Sequence, residues 1–175
     1  LGVPLTAEYV VVNETGAGLE SAARDARYKV FEKYLIKGGL LLLGHHADDQ
    51  VETVLFRLLR GSGARGLSGI PRSRAVGAGR LIRPLLNWPK SSLQAYADAA
   101  QLSWIEDESN QQEQFDRNYL RNSVIPTLAH RWPDYVQGIM RSAEQSSQAD
   151  QLADSVARAD IDSWHMKCRS FNDSA

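Results

Sequence analysis

The distribution of apolar and polar residues over the first 60 positions predicts strands that alternate with helices. Residues 8–12 and 40–43 form short runs with the β-branched or fully apolar composition of strands. Apolar residues recur at helical spacing in 19–35 and 48–60. This alternation predicts an α/β fold with a mostly parallel sheet, in which 40–43 is a buried strand. The core-facing stripe of the second helix is predicted to be Val51, Val54, Leu55, Leu58 and Leu59.

The next segment is richer in turn-forming residues. Residues 61–79 include six glycines and one proline and are predicted to be largely loop. A short strand is predicted at 80–84, a helix at 91–100 and a last short strand at 102–105. The α/β pattern therefore extends to about residue 105.

The C-terminal third has no strand signal and is predicted to be helical. Helical character runs over 116–128, and we expect the helix to break at Pro126. Beyond Pro133, a long polar helix is predicted to end near residue 160. With about three strands predicted up to residue 84, two before the glycine-rich segment and one after it, the sheet has fewer strands than parallel sheets usually have. We therefore expect the N-terminal part of the fold to be absent from this chain.

Composition excludes several classes of protein. The chain has 175 residues, of which 43% are hydrophobic, and a formal net charge of -1. No apolar run reaches the length of a transmembrane helix, and the N-terminal sequence lacks the basic region and cleavage site of a signal peptide. The single cysteine, Cys168, allows neither an internal disulfide nor a cysteine zinc site. These features predict a cytoplasmic protein that does not bind membranes.

Charge is segregated along the chain in spite of the near-neutral total. Residues 53–97 contain no Asp or Glu. A segment of one charge sign creates a field that attracts polyanions. The alternative is that its cations are ordinary surface residues that do not converge in space. These cations are Arg57, Arg60, Arg65, Arg72, Arg74, Arg80, Arg83 and Lys90.

Acids and imidazoles cluster at the start of the second predicted helix. The cluster consists of His45, His46, Asp48, Asp49 and Glu52. Ligands of parallel sheets bind where a strand leads into such a helix, and capping that helix requires only one acid. Carboxylates in this number suit Mg²⁺ bound together with nucleotide phosphates, so Asp49 and Glu52 are predicted metal ligands. A zinc site is disfavoured because adjacent histidines point in different directions, and one imidazole is expected to have a hydrogen-bonding or acid–base role.

Two other polar groupings allow both functional and plain surface interpretations. Residues 61–66 match G-x-G-x-x-G, but they follow a helix rather than a strand, so they are not a dinucleotide fingerprint. We interpret them as a flexible, arginine-bearing loop that can approach a phosphate backbone. Arg24, Arg27 and Tyr28 lie on the first helix, either as solvated surface or as part of a site. A later polar grouping contains Asp116, Arg117, Asn118 and Arg121.

Five blocks of sequence in register resemble the tRNA(Ile)-lysidine synthetases. The blocks are HHADDQVET, LLRGSGARGLSGI, RLIRPLL, WIEDESN and DRNYLRNSVIPTL, and ARDARY at 23–28 also fits. The resemblance covers about residues 3–150. It implies an N-type ATP pyrophosphatase with an adenine-nucleotide alpha-hydrolase-like (Rossmann-like) sheet and flanking helices. Members of the family use ATP and Mg²⁺ to adenylate C2 of the wobble cytidine of tRNA(Ile), and the ε-amine of L-lysine then displaces AMP.

The resemblance also implies which residues form the site. The family's active-site helix corresponds to His46, Asp48, Asp49, Glu52 and Thr53, of which we predict the first four to be catalytic. The family's following loop corresponds to Arg60, Gly61, Ser62 and Gly63, and its later polar blocks correspond to Asp107, Ser109, Asn110, Arg117, Asn118 and Arg121. The predicted RNA- or phosphate-binding residues are Arg57, Arg60, Arg65, Arg83, Arg117 and Arg121.

This sequence departs from the family pattern at both ends. The phosphate-binding Ser-Gly-Gly-x-Asp-Ser loop and the C-terminal tRNA-binding domains are not in it. We interpret 1–128 as the C-terminal half of the catalytic domain and 129–175 as a linker helix and irregular tail, inactive alone. The alternatives are a metal-dependent phosphohydrolase and a non-catalytic RNA-binding fragment. A tRNA thiolase with an iron–sulfur cluster would need more cysteines. One alternative for the quaternary structure is a homodimer.

Overall fold

A computed structural model of the chain describes residues 2–12, 19–105 and 116–172, without the side chains of 19–21 and 165–172. The predicted site residues Asp107, Ser109 and Asn110 lie outside these ranges. The helices are α1 (Leu19–Tyr34), α2 (Ala47–Leu59), α3 (Ala64–Leu67), α4 (Lys90–Ala99), α5 (Asp116–Tyr119), α6 (Ile125–Arg131) and α7 (Tyr135–Asn172), and a π-helical turn (Leu120–Val124) joins α5 to α6. The strands are β1 (Leu40–Leu42), β2 (Ser73–Val76) and β3 (Gly79–Ile82).

The chain divides into two compact units. Unit 1 consists of Leu1–Gly44 and Arg72–Pro84 and contains α1 and the three strands. Unit 2 consists of His45–Pro71 and Leu85–Ala175 and contains the remaining helices. The proposed division of the chain at residue 128 follows the family pattern rather than these units, and it stays a prediction.

The sheet of unit 1 has the strand order β1-β3-β2. Strand β1 runs parallel to β3, whereas β2 and β3 form an antiparallel hairpin that turns at Gly77, whose φ is +51°. Gly79 is required at the start of β3, because a Cβ there would lie 2.4 Å from the carbonyl oxygen of Gly39. Leu81 and Val76 are buried. The α/β class is confirmed, but the described sheet is mixed rather than mostly parallel.

Three of the strand predictions need correction. Residues 8–12 and 102–105 are not strands, although their composition is typical of strands. Strand propensity depends on a partner strand and on burial, and neither segment pairs with a described strand. Strand β1 forms as predicted, but Leu40 and Leu42 are exposed. Within 61–79, part of the predicted loop is instead helix α3 and strand β2.

Unit 2 is built around α2 and the long helix α7. Both α2 and α3 pack against α7, and the buried side chains include Val51, Val54, Leu120 and Ala143. Helix α7 has 38 residues and continues beyond the predicted end near residue 160. None of the helices in the described ranges is both long and apolar enough to cross a membrane.

The helix predicted to break at Pro126 continues through it. A proline in a helix lacks the N–H donor and clashes with the carbonyl four residues earlier. The π-helical turn Leu120–Val124 directly precedes α6, in which Pro126 occupies the first turn. The wider turn changes the hydrogen-bonding register before the proline, so that the chain stays helical on both sides. It also places Arg121 within a local irregularity of the helix.

Candidate active site at the start of helix α2

The first turn of α2 is held by hydrogen bonds to residues 88–90, at the start of α4. The backbone N–H of Ala47 donates to the carbonyl oxygen of Trp88 at 2.9 Å. The backbone N–H of Lys90 donates to Oδ2 of Asp48 at 2.7 Å. At the helix cap, the N–H of His46 donates to Oδ2 of Asp49 at 2.8 Å. One oxygen of each aspartate therefore has a structural role: Asp49 caps α2, and Asp48 links α2 to the first residue of α4.

The imidazole of His46 lies between the two aspartates. Its Nδ1 is 3.6 Å from Oδ2 of Asp48 and 3.5 Å from Oδ2 of Asp49. These distances are too long for strong hydrogen bonds, so the interaction is mainly electrostatic. The Asp48 carboxylate raises the pKa of His46, burial opposes the shift, and Asp49 and Glu52 reinforce it. The carboxylates therefore favour a protonated imidazole.

Glu52 forms a bidentate ion pair with Arg121. Nε of Arg121 donates to Oε1 at 2.6 Å, and its Nη2 donates to Oε2 at 2.8 Å. The Glu52 side chain is only 3% exposed, whereas that of Arg121 is 37% exposed. Glu52 raises the pKa of Arg121, with additional contributions from Asp49 and Asp48, while burial opposes the shift. A buried carboxylate needs such a partner, because an unpaired buried charge is strongly unfavourable.

Two further side chains, those of Tyr135 and Thr53, belong to this region. Burial raises the pKa of Tyr135 at the start of α7, and the charges of Asp48 and Glu52 raise it further. Thr53 is buried, and its Oγ1 has no hydrogen-bond partner within the described ranges. Sequence reasoning missed Tyr135, because a tyrosine after Pro133 carries no local signal of what it faces.

The carboxylates do not form an evident magnesium site. Within 2–12, 19–105 and 116–172 there is no group of three His, Cys, Asp or Glu residues that could hold a metal ion. Both oxygens of Glu52 are bound by Arg121, and Oδ1 of Asp49 lies 4.0 Å from Nη2 of the same arginine. The arrangement does not fit an ion held jointly by Asp49 and Glu52.

Arg57 has a structural role in the glycine-rich loop. Its Nη1 donates to the carbonyl oxygens of Gly66 and Gly69 at 2.9 and 2.8 Å. Gln50 holds the same loop, since Ile70 N–H donates to its Oε1 at 2.5 Å. The loop that we expected to be flexible is therefore tied to α2 on its inner side.

The other predicted arginines are distributed over both units. Arg60 and Arg65 are exposed, and Cζ of Arg60 lies 4.8 Å from the centroid of the Phe56 ring. Arg65 lines a cleft of about 710 Å³ between the loop and α7. Arg117 is half-buried on α5. Arg83 belongs to unit 1 and is 2% exposed. The structure thus brings Arg121 into the acid cluster and places Arg57, Arg60 and Arg65 around one loop.

Comparisons with known proteins identify the family of the chain. A family model described as a PP-loop domain matches residues 1–128. The chain is 50% identical over 161 residues to the tRNA(Ile)-lysidine synthase of Pseudomonas aeruginosa, covering 92% of this chain and 36% of that protein. The enzyme of the same name from Pseudomonas putida is 53% identical over 146 residues, covering 83% and 34%. That of Vibrio parahaemolyticus is 43% identical over 156 residues, covering 89% and 36%.

The chain spans about a third of the length of these curated relatives. The matched region includes the whole of α2 and the glycine-rich loop as well as Arg121. Because the family model matches 128 of the 175 residues, the chain belongs to the PP-loop domain family.

Proposed function

We propose that this chain is part of a tRNA(Ile)-lysidine synthase. The complete enzyme uses ATP to adenylate C2 of the wobble cytidine of tRNA(Ile), and the ε-amine of L-lysine then displaces AMP. The observation that carries the proposal is the cluster of Asp48, Asp49, Glu52, His46 and Arg121 at the start of α2. It occurs in a chain about half identical to enzymes of that name.

The charge of this cluster suits an amine substrate. Three carboxylates face one guanidinium and one imidazole and raise the pKa values of His46 and Arg121. Burial raises the pKa of Tyr135, and Asp48 and Glu52 raise it further. All three shifts have the sign that a negative field produces, since such a field favours the more protonated form of each group. The same negative field favours binding of the ε-ammonium group of lysine. We propose that Asp48 and Asp49 attract and orient that group.

The amine must lose a proton before it attacks C2. His46 is the group in the cluster whose ordinary pKa, about 6.5, lies nearest to neutrality. It contacts both aspartates, so a proton can pass between it and the region in which we place the amine. We propose that the neutral form of the His46 imidazole accepts this proton, that the aspartates stabilise the resulting imidazolium, and that Glu52 holds Arg121 in position.

The exposed arginines are suited to binding nucleic-acid phosphates. Arg60 and Arg65 extend from a loop whose inner side is fixed by Arg57 and Gln50. A fixed loop presents its cations with less loss of entropy on binding than a mobile loop. We propose that these two arginines contact tRNA phosphates and that Arg57 supports the loop without contacting them.

A chimeric enzyme tests this proposal. The chain replaces the corresponding region of the Pseudomonas aeruginosa lysidine synthase, and incorporation of labelled lysine into a tRNA(Ile) transcript is measured with and without ATP. We expect ATP-dependent incorporation that Asp49→Asn abolishes. Asp154→Asn is the matched control, because Asp154 is an exposed acid on α7 paired with Arg158. Normal incorporation by the Asp49 variant would refute the site.

Two further measurements on the chimera, tRNA binding and phosphate release, separate the alternatives. A folded chimera that binds tRNA but incorporates no lysine would favour a non-catalytic RNA-binding role. Release of phosphate from a phosphoester without nucleotide would favour a phosphohydrolase.

A further inference from the structure

The cleft of about 710 Å³ beside the glycine-rich loop lies within unit 2 and has two walls of different chemistry. The loop wall is lined by Arg57, Ser62 and Arg65, and the α7 wall is lined by Ser147, Asp150 and Gln151. The walls are held together because α3, which follows the start of the loop, packs against α7. Arg57 lies eight residues after Asp49 on α2, about 12 Å along the helix axis. The cleft is therefore separate from the acid cluster.

The loop wall is a fixed surface that carries a cation. Arg57 binds the carbonyl oxygens of Gly66 and Gly69, which holds the loop against α2. A Cβ at Gly66 would lie 2.4 Å from Cβ of Ser62, so the loop requires glycine there. A Cβ at Gly63 would meet no atom within 4 Å, so the backbone borders open space at that position. A ligand can therefore approach the loop backbone closely, beside the exposed side chain of Arg65.

The α7 wall offers hydrogen-bond acceptors. Ser147, Asp150 and Gln151 have the spacing i, i+3 and i+4, which places them on one face of the helix. Nε2 of Gln151 donates to Oγ of Ser147 at 3.2 Å, and the amide oxygen of Gln151 is an acceptor. Asp150 is half-buried, and its ionised carboxylate can only accept hydrogen bonds. Acceptors on α7 thus lie across the cleft from the guanidinium of Arg65.

This combination suits a ligand in which an anion and a hydrogen-bond donor are close together. An isolated phosphate would be attracted by Arg65 but repelled by Asp150. A ribonucleotide carries a phosphate and, on the adjoining ribose, a 2′-hydroxyl that can donate. A deoxyribonucleotide lacks this donor. The cleft is also large enough for one nucleotide, since small-ligand sites have volumes of about 300–1,000 Å³.

We propose that this cleft binds one nucleotide of the tRNA, with its phosphate on Arg65 and its 2′-hydroxyl donating to Asp150. The inference rests on the proposed function, which supplies the RNA, and it adds a residue that distinguishes RNA from DNA. Because the cleft is separate from the acid cluster, the bound nucleotide is not the reacting cytidine but another nucleotide of the same RNA. A preformed cleft holds that nucleotide with little loss of protein entropy.

Single 2′-deoxy substitutions in the RNA test the contact with Asp150. Binding of the chain to a fluorescent RNA with the sequence of the tRNA(Ile) anticodon stem-loop is measured by anisotropy, together with a series in which each RNA lacks one 2′-hydroxyl. We expect one position at which the deoxy substitution weakens binding to the wild-type chain about tenfold, as for loss of a hydrogen bond to a charged group. In Asp150→Ala, the same deoxy substitution should have no effect.

Asp154→Ala is the matched control for that variant. Asp154 lies one turn further along α7 and is paired with Arg158, and it is not among the residues that line the cleft. Its replacement removes the same charge from the same helix, so it corrects for the general repulsion between carboxylates and RNA. The sensitivity to the deoxy substitution should remain tenfold in this variant. Asp150→Asn keeps the size of the side chain and should reduce the sensitivity, and circular dichroism melts establish that each variant is folded.

Three results would overturn the site. These are no binding of the RNA by the wild-type chain, no position at which a deoxy substitution matters, and a sensitivity that both Asp150 variants retain. Lysine incorporation by the chimera is a separate measurement. Incorporation without a 2′-hydroxyl contact that depends on Asp150 would refute this site and leave the lysidine assignment intact. The contact without incorporation would support the site in an RNA-binding chain that is not a lysidine synthase.

Discussion

Replacing Arg121 with methionine is expected to destabilise the chain by about 3 kcal/mol. The substitution keeps an unbranched apolar stem but leaves Glu52 buried with no guanidinium on its two oxygens, which now accept bonds of 2.6 and 2.8 Å. Breaking a buried ion pair costs about 3–5 kcal/mol. We use the lower end because the Arg121 side chain is 37% exposed, so water can reach part of the vacated space.

The measurement is a comparison of melting midpoints and urea unfolding for a double-mutant cycle. For a chain of this size, about 3 kcal/mol corresponds to a decrease in melting temperature of about 6–12 °C. Glu52→Gln should cost less than Arg121→Met, because it removes the buried charge instead of leaving it unpaired. The double variant should be more stable than Arg121→Met alone, which gives a favourable coupling energy for the pair.

The control is a second arginine–carboxylate pair in the same chain. Nε of Arg158 lies 2.8 Å from Oδ2 of Asp154 on α7, but both side chains are largely exposed. Arg158→Met should therefore cost no more than about 0.5 kcal/mol. If Arg121→Met is as mild as Arg158→Met, or if Glu52→Gln is the more damaging member of its pair, the structural role assigned to Arg121 is wrong.

Three further outcomes are expected. The pKa of His46 is raised in the folded state, mainly by Asp48. The protonated imidazole therefore stabilises the fold below its unfolded pKa of about 6.5, and this stabilisation is lost as the pH rises through the folded-state pKa. His46→Gln should remove this pH dependence of unfolding. Gly69→Ala should destabilise by about 1–3 kcal/mol in thermal melts, since φ is +69° and a Cβ would lie 2.6 Å from Gln50 Oε1. Arg65→Ala should lower the slope of log K against log salt for tRNA binding by about 0.7–0.9. An unchanged slope would place the tRNA elsewhere.

The sequence was informative about elements whose signal is local. Helix α2 was predicted at 48–60 and extends over Ala47–Leu59, because apolar spacing and an acidic first turn are properties of one short segment. Its buried face was predicted less well. Leu58 and Leu59 are exposed, whereas Gln50 and Glu52 are buried. The buried face is decided by α7, by the glycine-rich loop and by Arg121, which local periodicity does not contain.

Sequence-based prediction of the candidate site has the same limit, because it does not show contacts between residues that are distant along the chain. The composition of the acid cluster was visible in the sequence, but its main cation is 69 residues away along the chain. Residue type also fails to distinguish an arginine that contacts phosphate from one that satisfies carbonyl groups, as Arg57 does. The cluster of Arg24 and Arg74 around Tyr28 is likewise a contact between a helix and a hairpin that are distant in sequence.

The contacts of the three acids indicate how structural and chemical roles are divided within the cluster. Glu52 gives both oxygens to Arg121, so its first role is to hold that arginine beside the aspartates. Asp48 and Asp49 each use Oδ2 to accept a backbone N–H, that of Lys90 at the start of α4 and that of His46 at the start of α2. Oδ1 of Asp49 lies 4.0 Å from Arg121, beyond hydrogen-bonding distance. A carboxylate fixed through one oxygen is pre-organised to bind a cation through the other without a further loss of side-chain entropy. For this reason we propose that the aspartates contact the substrate and that Glu52 positions Arg121.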